Sequence, residues 1–189
     1  VILHLGRVEM ADKTRELALL LKDKSYKVAK TLMGDERRSK IAGHIESVIE
    51  SLKEISIYAK DKNIKLGIEN RYYHNEIPSL SDLEVIIKKF SADDNVFYWH
   101  DVGHAKAFEY LGLAKKDENL KKFGRRLLGM HIHDIAGIDD HRAPGKGSVD
   151  FSELIKYIKS DTLLVFEVHG NAESADIIKA RVNLEKLFL

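Results

Sequence analysis

The sequence predicts an α/β fold built on a parallel sheet, and three observations predict it. Five short runs rich in β-branched and apolar residues recur: VILHL (1–5), IKLGIE (64–69), VFYWHD (96–101), LLGMHIH (127–133) and TLLVFEV (162–168). Their apolar character is nearly continuous, as in strands buried on both faces. Segments with helical spacing of apolar residues separate them, and such alternation favours parallel strands joined by right-handed crossovers. Eight such units in about 250 residues close a (β/α)8 barrel. With 189 residues this chain holds five, and three further units at roughly 30 residues each would bring it to that size. It is therefore read as about the last five strand–helix units of a (β/α)8 barrel, one partial domain over 1–189, with an N-terminal portion upstream of Val1. An open, doubly wound five-stranded sheet is the competing architecture.

The elements follow in order. The first run is a strand that begins at Val1. A helical segment covers 11–32, and a second helix runs from Asp35 to about 61, with Ile41, Ile45, Val48, Ile49, Leu52, Ile55 and Ala59 on one face. After the second strand, Ser81 and Glu84 match a capping box that opens a helix over 82–90. Phe151, Leu154, Ile155 and Ile158 mark a helix after Asp150, and 173–188 closes the chain as a helix.

Composition narrows the function classes. Thirty-one basic against 30 acidic side chains give a net charge of +1, so no electrostatic footprint for nucleic acid or an anionic membrane stands out. Cysteine is absent, which leaves nitrogen and oxygen as the only metal ligands. No apolar run approaches the roughly 20 residues that span a bilayer, and no signal peptide is visible, so a cytoplasmic enzyme or binding domain is expected.

Polar residues then fall in a pattern. His4, Glu69, Asp101, His131 and Glu167 sit at or near the carboxyl ends of the five runs, where the strands of a parallel α/β barrel build the active site. Glu69 and Glu167 carry particular weight, because carboxylates within apolar strands are costly unless paired or metal-bound. Asp101 and His104 lie three apart, and Asp139 and His141 two apart, spacings that let each pair face one ion. Imidazole with carboxylate suits Zn²⁺ or Mn²⁺, with Co²⁺ or Fe²⁺ also fitting. APGKG (143–147) supplies a tight turn that lets backbone pass close to a ligand. Arg71 either binds an anionic or hydroxylated substrate or forms an ordinary ion pair, and Lys146 could bind substrate from the glycine turn. His100 and His133 are expected on the opposite faces of their strands, while His44, His74 and His169 read as structural or surface residues.

GIENR, WHDVGHA, the HIHD…DDHRAPGKGSVDF block and LVFEVH together resemble the xylose isomerase-like TIM-barrel superfamily, which contains sugar isomerases and epimerases and the endonuclease IV class of abasic-site nucleases. The resemblance covers the whole chain. It implies that Glu69, Asp101, His131 and Glu167 match the four ligands of the single-metal sugar epimerases, whose two glutamates also exchange a proton with the carbon beside the carbonyl. It also implies that His4, His104, Asp139 and His141 match additional ligands of the three-zinc nucleases. The function expected is a divalent-metal-dependent isomerase or epimerase of a small sugar or sugar phosphate. Glu69, Glu167 and His104 would be catalytic, and Arg71 and Lys146 would contact substrate. A zinc-dependent abasic-site endonuclease is the alternative. The expected partner is a small sugar-like molecule, with nucleic acid only under that alternative, no membrane, and homo-oligomerisation left open.

Overall fold

Continuous apolar runs become strands where their residues can be buried on both sides. The computed structural model describes residues 1–91, 94–169 and 172–188. The chain divides into two compact units, Val1–Tyr98 and Trp99–Leu189, and the boundary falls inside the third strand.

The first unit contains β1 (Ile2–Leu3), α1 (Thr14–Leu19), α2 (Tyr26–Lys40), α3 (Ala42–Asp61), β2 (Leu66–Glu69), α4 (Leu80–Ile87) and the start of β3 (Val96–Asp101). Its strands are ordered β1-β2-β3. β1 and β2 are parallel, with Leu3 opposite Ile68, so His4 and Glu69 follow at adjacent ends. The α3 stripe buries Ile45, Ile49, Leu52 and Ala59, as the spacing predicts, but leaves Ile55 exposed. The break expected near Asp35 lies instead at Ile41, between α2 and α3. The cap of α4 also differs from expectation. Ser79, not Ser81, is extended at the N-cap, and its reciprocal partner is Asp82, not Glu84. The Ser79 N–H donates to Asp82 Oδ2 at 2.8 Å, and the Asp82 N–H donates to Ser79 Oγ at 3.3 Å. Both patterns fit the same motif, and the extended backbone at Ser79 decides between them.

The second unit holds the end of β3, then α5 (Val102–Tyr110), α6 (Glu118–Phe123), β4 (Leu127–Ile132), β5 (Asp134–Ala136), β6 (Asp139–Arg142), β7 (Leu163–Phe166) and α7 (Ser174–Phe188). Its main strands are ordered β3-β4-β7, with β4 and β7 parallel and His131 opposite Val165. β5 and β6 form a separate antiparallel hairpin within the stretch between β4 and β7. The helix expected after Asp150 is present as a 3₁₀ helix, Phe151–Tyr157, capped by Asp150. One expectation fails here. β7 is not buried on both faces: it lies at the end of the strand order beside β4 alone, and Leu163 and Val165 are 54% and 44% exposed. The α/β class and the five parallel strand–helix units stand as predicted. No helix among the described residues is long and apolar enough to cross a membrane.

The loop after the hairpin is built around one carboxylate. Asp134, 1% exposed, accepts the backbone N–H groups of Ile135, Gly145, Gly147 and Val149 at 2.9–3.0 Å. Clustered N–H groups can satisfy a buried carboxylate by themselves. Gly147 is required for the close approach, because a Cβ there would lie 2.3 Å from Asp134 Oδ1 and 2.4 Å from the Ile135 carbonyl oxygen. Gly147→Ala is expected to cost about 1–3 kcal/mol, the usual range for overpacking, and to free the 143–148 loop for proteolysis. Urea denaturation and limited proteolysis read the two effects. A variant as stable and as resistant as the parent would contradict the packing described.

Candidate metal centre

In the first unit, Glu69 ends β2 with a carboxylate almost wholly shielded from water. Its Oε2 lies 2.9 Å from His4 Nε2 and is also held by the Arg71 guanidinium. Arg71 continues to Glu76 at 3.1 Å, and Glu76 in turn accepts the Tyr73 N–H at 3.1 Å. Arg71 therefore has carboxylates on both of its terminal nitrogens, and its side chain is only 12% exposed. Of the two roles open to it in the sequence, the structure shows the ion pair.

Beneath this loop lies a second buried arginine. Arg37 of α2 donates to the carbonyls of His74 and Glu76 at 2.8 and 2.9 Å and pairs with the Asp82 carboxylate. Helix α2 thus fixes the backbone that carries Glu76.

In the second unit, Asp101 ends β3 with no exposed surface. It caps α5 by accepting the His104 N–H at 2.7 Å. His133 Nε2 approaches both of its oxygens, at 2.9 and 3.1 Å. His131 Nδ1 lies 3.5 Å from Asp101 Oδ2 and 2.8 Å from Glu167 Oε2, just beyond the end of β7. One ligand atom from each of Asp101, His131 and Glu167 lies within 4.8 Å of the others. Burial opposes ionisation of Asp101, but His104, His131 and His133 outweigh it and hold the carboxyl well below its ordinary range. His131 similarly lowers Glu167 against the cost of its burial. Both are carboxylates at neutral pH.

Glu167 Oε2 fits a cation better than a proton. The atom is buried, and among the described residues its polar neighbour is His131 Nδ1 at 2.8 Å, in a geometry short of a good hydrogen bond. A buried charged oxygen without a good hydrogen bond is costly, and a metal ion facing the same two donor atoms would relieve that cost. The donor set of imidazole and carboxylate suits a borderline divalent ion.

The hairpin brings further groups. The His141 N–H donates to His133 Nδ1 at 2.9 Å, so the proton on neutral His133 sits on Nε2 and points at Asp101. His141 adopts a left-handed backbone (φ 55°), and its Nδ1 lies 3.0 Å from the Glu167 carbonyl oxygen. A carbonyl only accepts, so Nδ1 carries the proton and Nε2 keeps its lone pair. That Nε2 lies 3.5 Å from Asp140 Oδ2, and His104 Nε2 lies 3.7 Å from the same oxygen.

Several predicted residues are placed differently. Asp139 was expected with His104 and His141, but its largely exposed carboxylate pairs with Arg142 at 2.6 Å. Strand alternation turns Asp140 inward in its place. His133, expected to face away, is fully buried on Asp101. His133 occupies space that Gly103 leaves open, where a Cβ would stand 2.0 Å from the His133 ring. His169, expected as a structural or surface residue, is exposed, and it stacks on His141 with centroids 3.7 Å apart. Lys146 pairs with Asp176 at 2.9 Å and lines a 320 Å³ cavity with His141, His169 and Arg142. The signal for Asp140 was present in the DDH triplet. For His133 and His169 it was not, because an irregular hairpin and a loop set their directions.

Proteins of similar sequence and fold identify the family of the chain. A family model described as a xylose isomerase-like TIM barrel matches residues 7–184. The uncharacterized protein MJ1311 of Methanocaldococcus jannaschii is 26% identical over 147 residues, which are 75% of this chain and 48% of that protein. Among solved structures, a D-tagatose 3-epimerase-like protein superposes with a TM-score of 0.61 at 23% identity, over 76% of this chain and 54% of the other. The IolI protein with a bound zinc atom gives 0.59 at 20% identity, over 76% and 56%. This chain thus spans about half the length of the proteins it matches. With nearly all of its residues covered by the family model, the chain belongs to the xylose isomerase-like TIM barrel family.

Proposed function

We propose that the chain serves a divalent-metal-dependent isomerase or epimerase of a small sugar or sugar phosphate. The observation that carries this is the meeting of Asp101, His131 and Glu167, one donor atom of each within 4.8 Å of the others and the Glu167 oxygen buried among them. Glu69, shielded at the end of β2, is the proposed fourth ligand. The D-tagatose 3-epimerase-like structure and the zinc-bound IolI structure support the choice of sugar chemistry and of metal. When bound, the ion would supply Lewis acidity toward the substrate's carbonyl and hydroxyl oxygens.

The residues divide the remaining work. Glu167 is ionised, since His131 lowers its pKa, and is suited to accept the proton from the carbon beside the carbonyl. Glu69 is assigned to the same exchange in its reverse direction, and Arg71 and His4 hold its carboxylate in place. Asp101 is aimed by the His104 N–H and the His133 ring. His104 offers Nε2 to a substrate hydroxyl, while Lys146, on the cavity wall, suits a more distant hydroxyl or phosphate. Arg71 acts through Glu69 in this scheme, not on the substrate.

One arrangement favours the nuclease reading. His104 Nε2 and His141 Nε2 both face Asp140 Oδ2, which could hold a further zinc ion. Protein loaded in turn with Mn²⁺, Co²⁺ and Zn²⁺ should epimerise or isomerise at least one member of a ketose and ketose phosphate panel in D₂O. Deuterium should appear at the carbon beside the carbonyl. Incision of an abasic oligonucleotide with silence across the sugar panel would replace this proposal with the nuclease.

A further inference from the structure

We propose that His141, His169 and Glu167 form a second divalent-cation site, more open to solvent than the Asp101–His131–Glu167 centre and joined to it through the Glu167 carboxylate. One donor atom from each of the three residues lies within 4.8 Å of the others. His141 is prepared as a ligand. Its Nδ1–H is spent on the Glu167 carbonyl at 3.0 Å, which orients the ring and leaves Nε2 unprotonated. His169 is held against it by backbone as well as by ring. The His169 N–H donates to the His141 carbonyl at 3.1 Å, and the two imidazoles stack at 3.7 Å with planes 16° apart. The two rings are thus held close together, and a nitrogen of each lies within 4.8 Å of a Glu167 oxygen.

The alternative trio of His104, His133 and His141 is also close enough to hold an ion. His133 is unsuited to it, because Nε2 faces Asp101 and Nδ1 accepts the His141 N–H. His169 has no such commitments among the described residues. The 320 Å³ cavity lined by His141, His169 and Asp140 gives an ion there room for water on its open positions. Its cations, Arg142 and Lys146, are neutralised by Asp139 and Asp176. The two-imidazole, one-carboxylate set suits Zn²⁺, Co²⁺ or Ni²⁺ rather than Ca²⁺ or Mg²⁺. A carboxylate shared by two ions places them a few ångströms apart, as in two-metal sites. The proposal shares Glu167 with the proposed catalytic centre but requires no sugar substrate.

The test is calorimetric titration of the chelator-stripped 189-residue chain with Zn²⁺ and with Co²⁺. Two binding events are expected. His169→Ala should weaken the second by about 100-fold or more, since changes merely outside the ligand shell already cost 10–100-fold, and should leave the first intact. His169→Gln serves as a second variant, and circular dichroism checks folding of both. His131→Ala should act on the first event. Two events indifferent to both His169 variants would overturn the site, as would a single event indifferent to them. Loss of the second event through His104→Ala and not His169→Ala would also overturn it, in favour of the Asp140 trio. If His131→Ala changes nothing while His169→Ala removes an event, the second site stands and the catalytic centre falls.

Discussion

Glu167→Gln is expected to lower turnover on the responsive sugar by about 10²–10⁴-fold, the range that a positioned acid or base contributes. Glu69→Gln should do the same, because each glutamate handles the proton in one direction of a reversible exchange. The amide keeps the shape and removes the basic oxygen. It also weakens metal binding, so both variants are assayed at metal concentrations that saturate them, with bound metal measured directly. Deuterium wash-in separates the roles further, since loss of the base for one epimer stops exchange from that side first. A Glu167→Gln enzyme with full metal content and more than about a tenth of parental turnover would remove Glu167 from the acid–base role.

Arg37→Met is expected to cost about 3–5 kcal/mol, the usual penalty for stranding one member of a buried ion pair. Both partners are shielded, and the loss leaves Asp82 and two backbone carbonyls without their donor. Adding Asp82→Leu should recover part of this, by removing the stranded charge. It should not recover all, because Asp82 also accepts the Ser79 N–H in the capping box of α4. Urea denaturation of the single and double variants checks both statements. A single variant within 1 kcal/mol of the parent would show that the guanidinium is solvated in solution. The consequence reaches the site, since Arg37 holds the Glu76 carbonyl and Glu76 holds Arg71 against Glu69.

The sequence by itself determined the strands, their parallel alternation with helices, and the residues at their ends. Nearly continuous apolar runs have few ways to be buried, and a carboxylate or imidazole at the end of each is a pattern readable without coordinates. Glu69, Asp101, His131 and Glu167 were legible for that reason. Tertiary structure decided the rest. The choice of Asp140 over Asp139, the inward turn of His133, and the stacking of His169 on His141 all depend on the irregular hairpin and the loop beyond it. Strand period says which neighbours share a face, but a bulge or a positive φ, such as that at His141, resets it. Arg71 was ambiguous for a different reason. A guanidinium two residues beyond a glutamate can serve substrate or protein equally, and only the position of Glu76, fixed from beneath by Arg37, settles which carboxylates it meets.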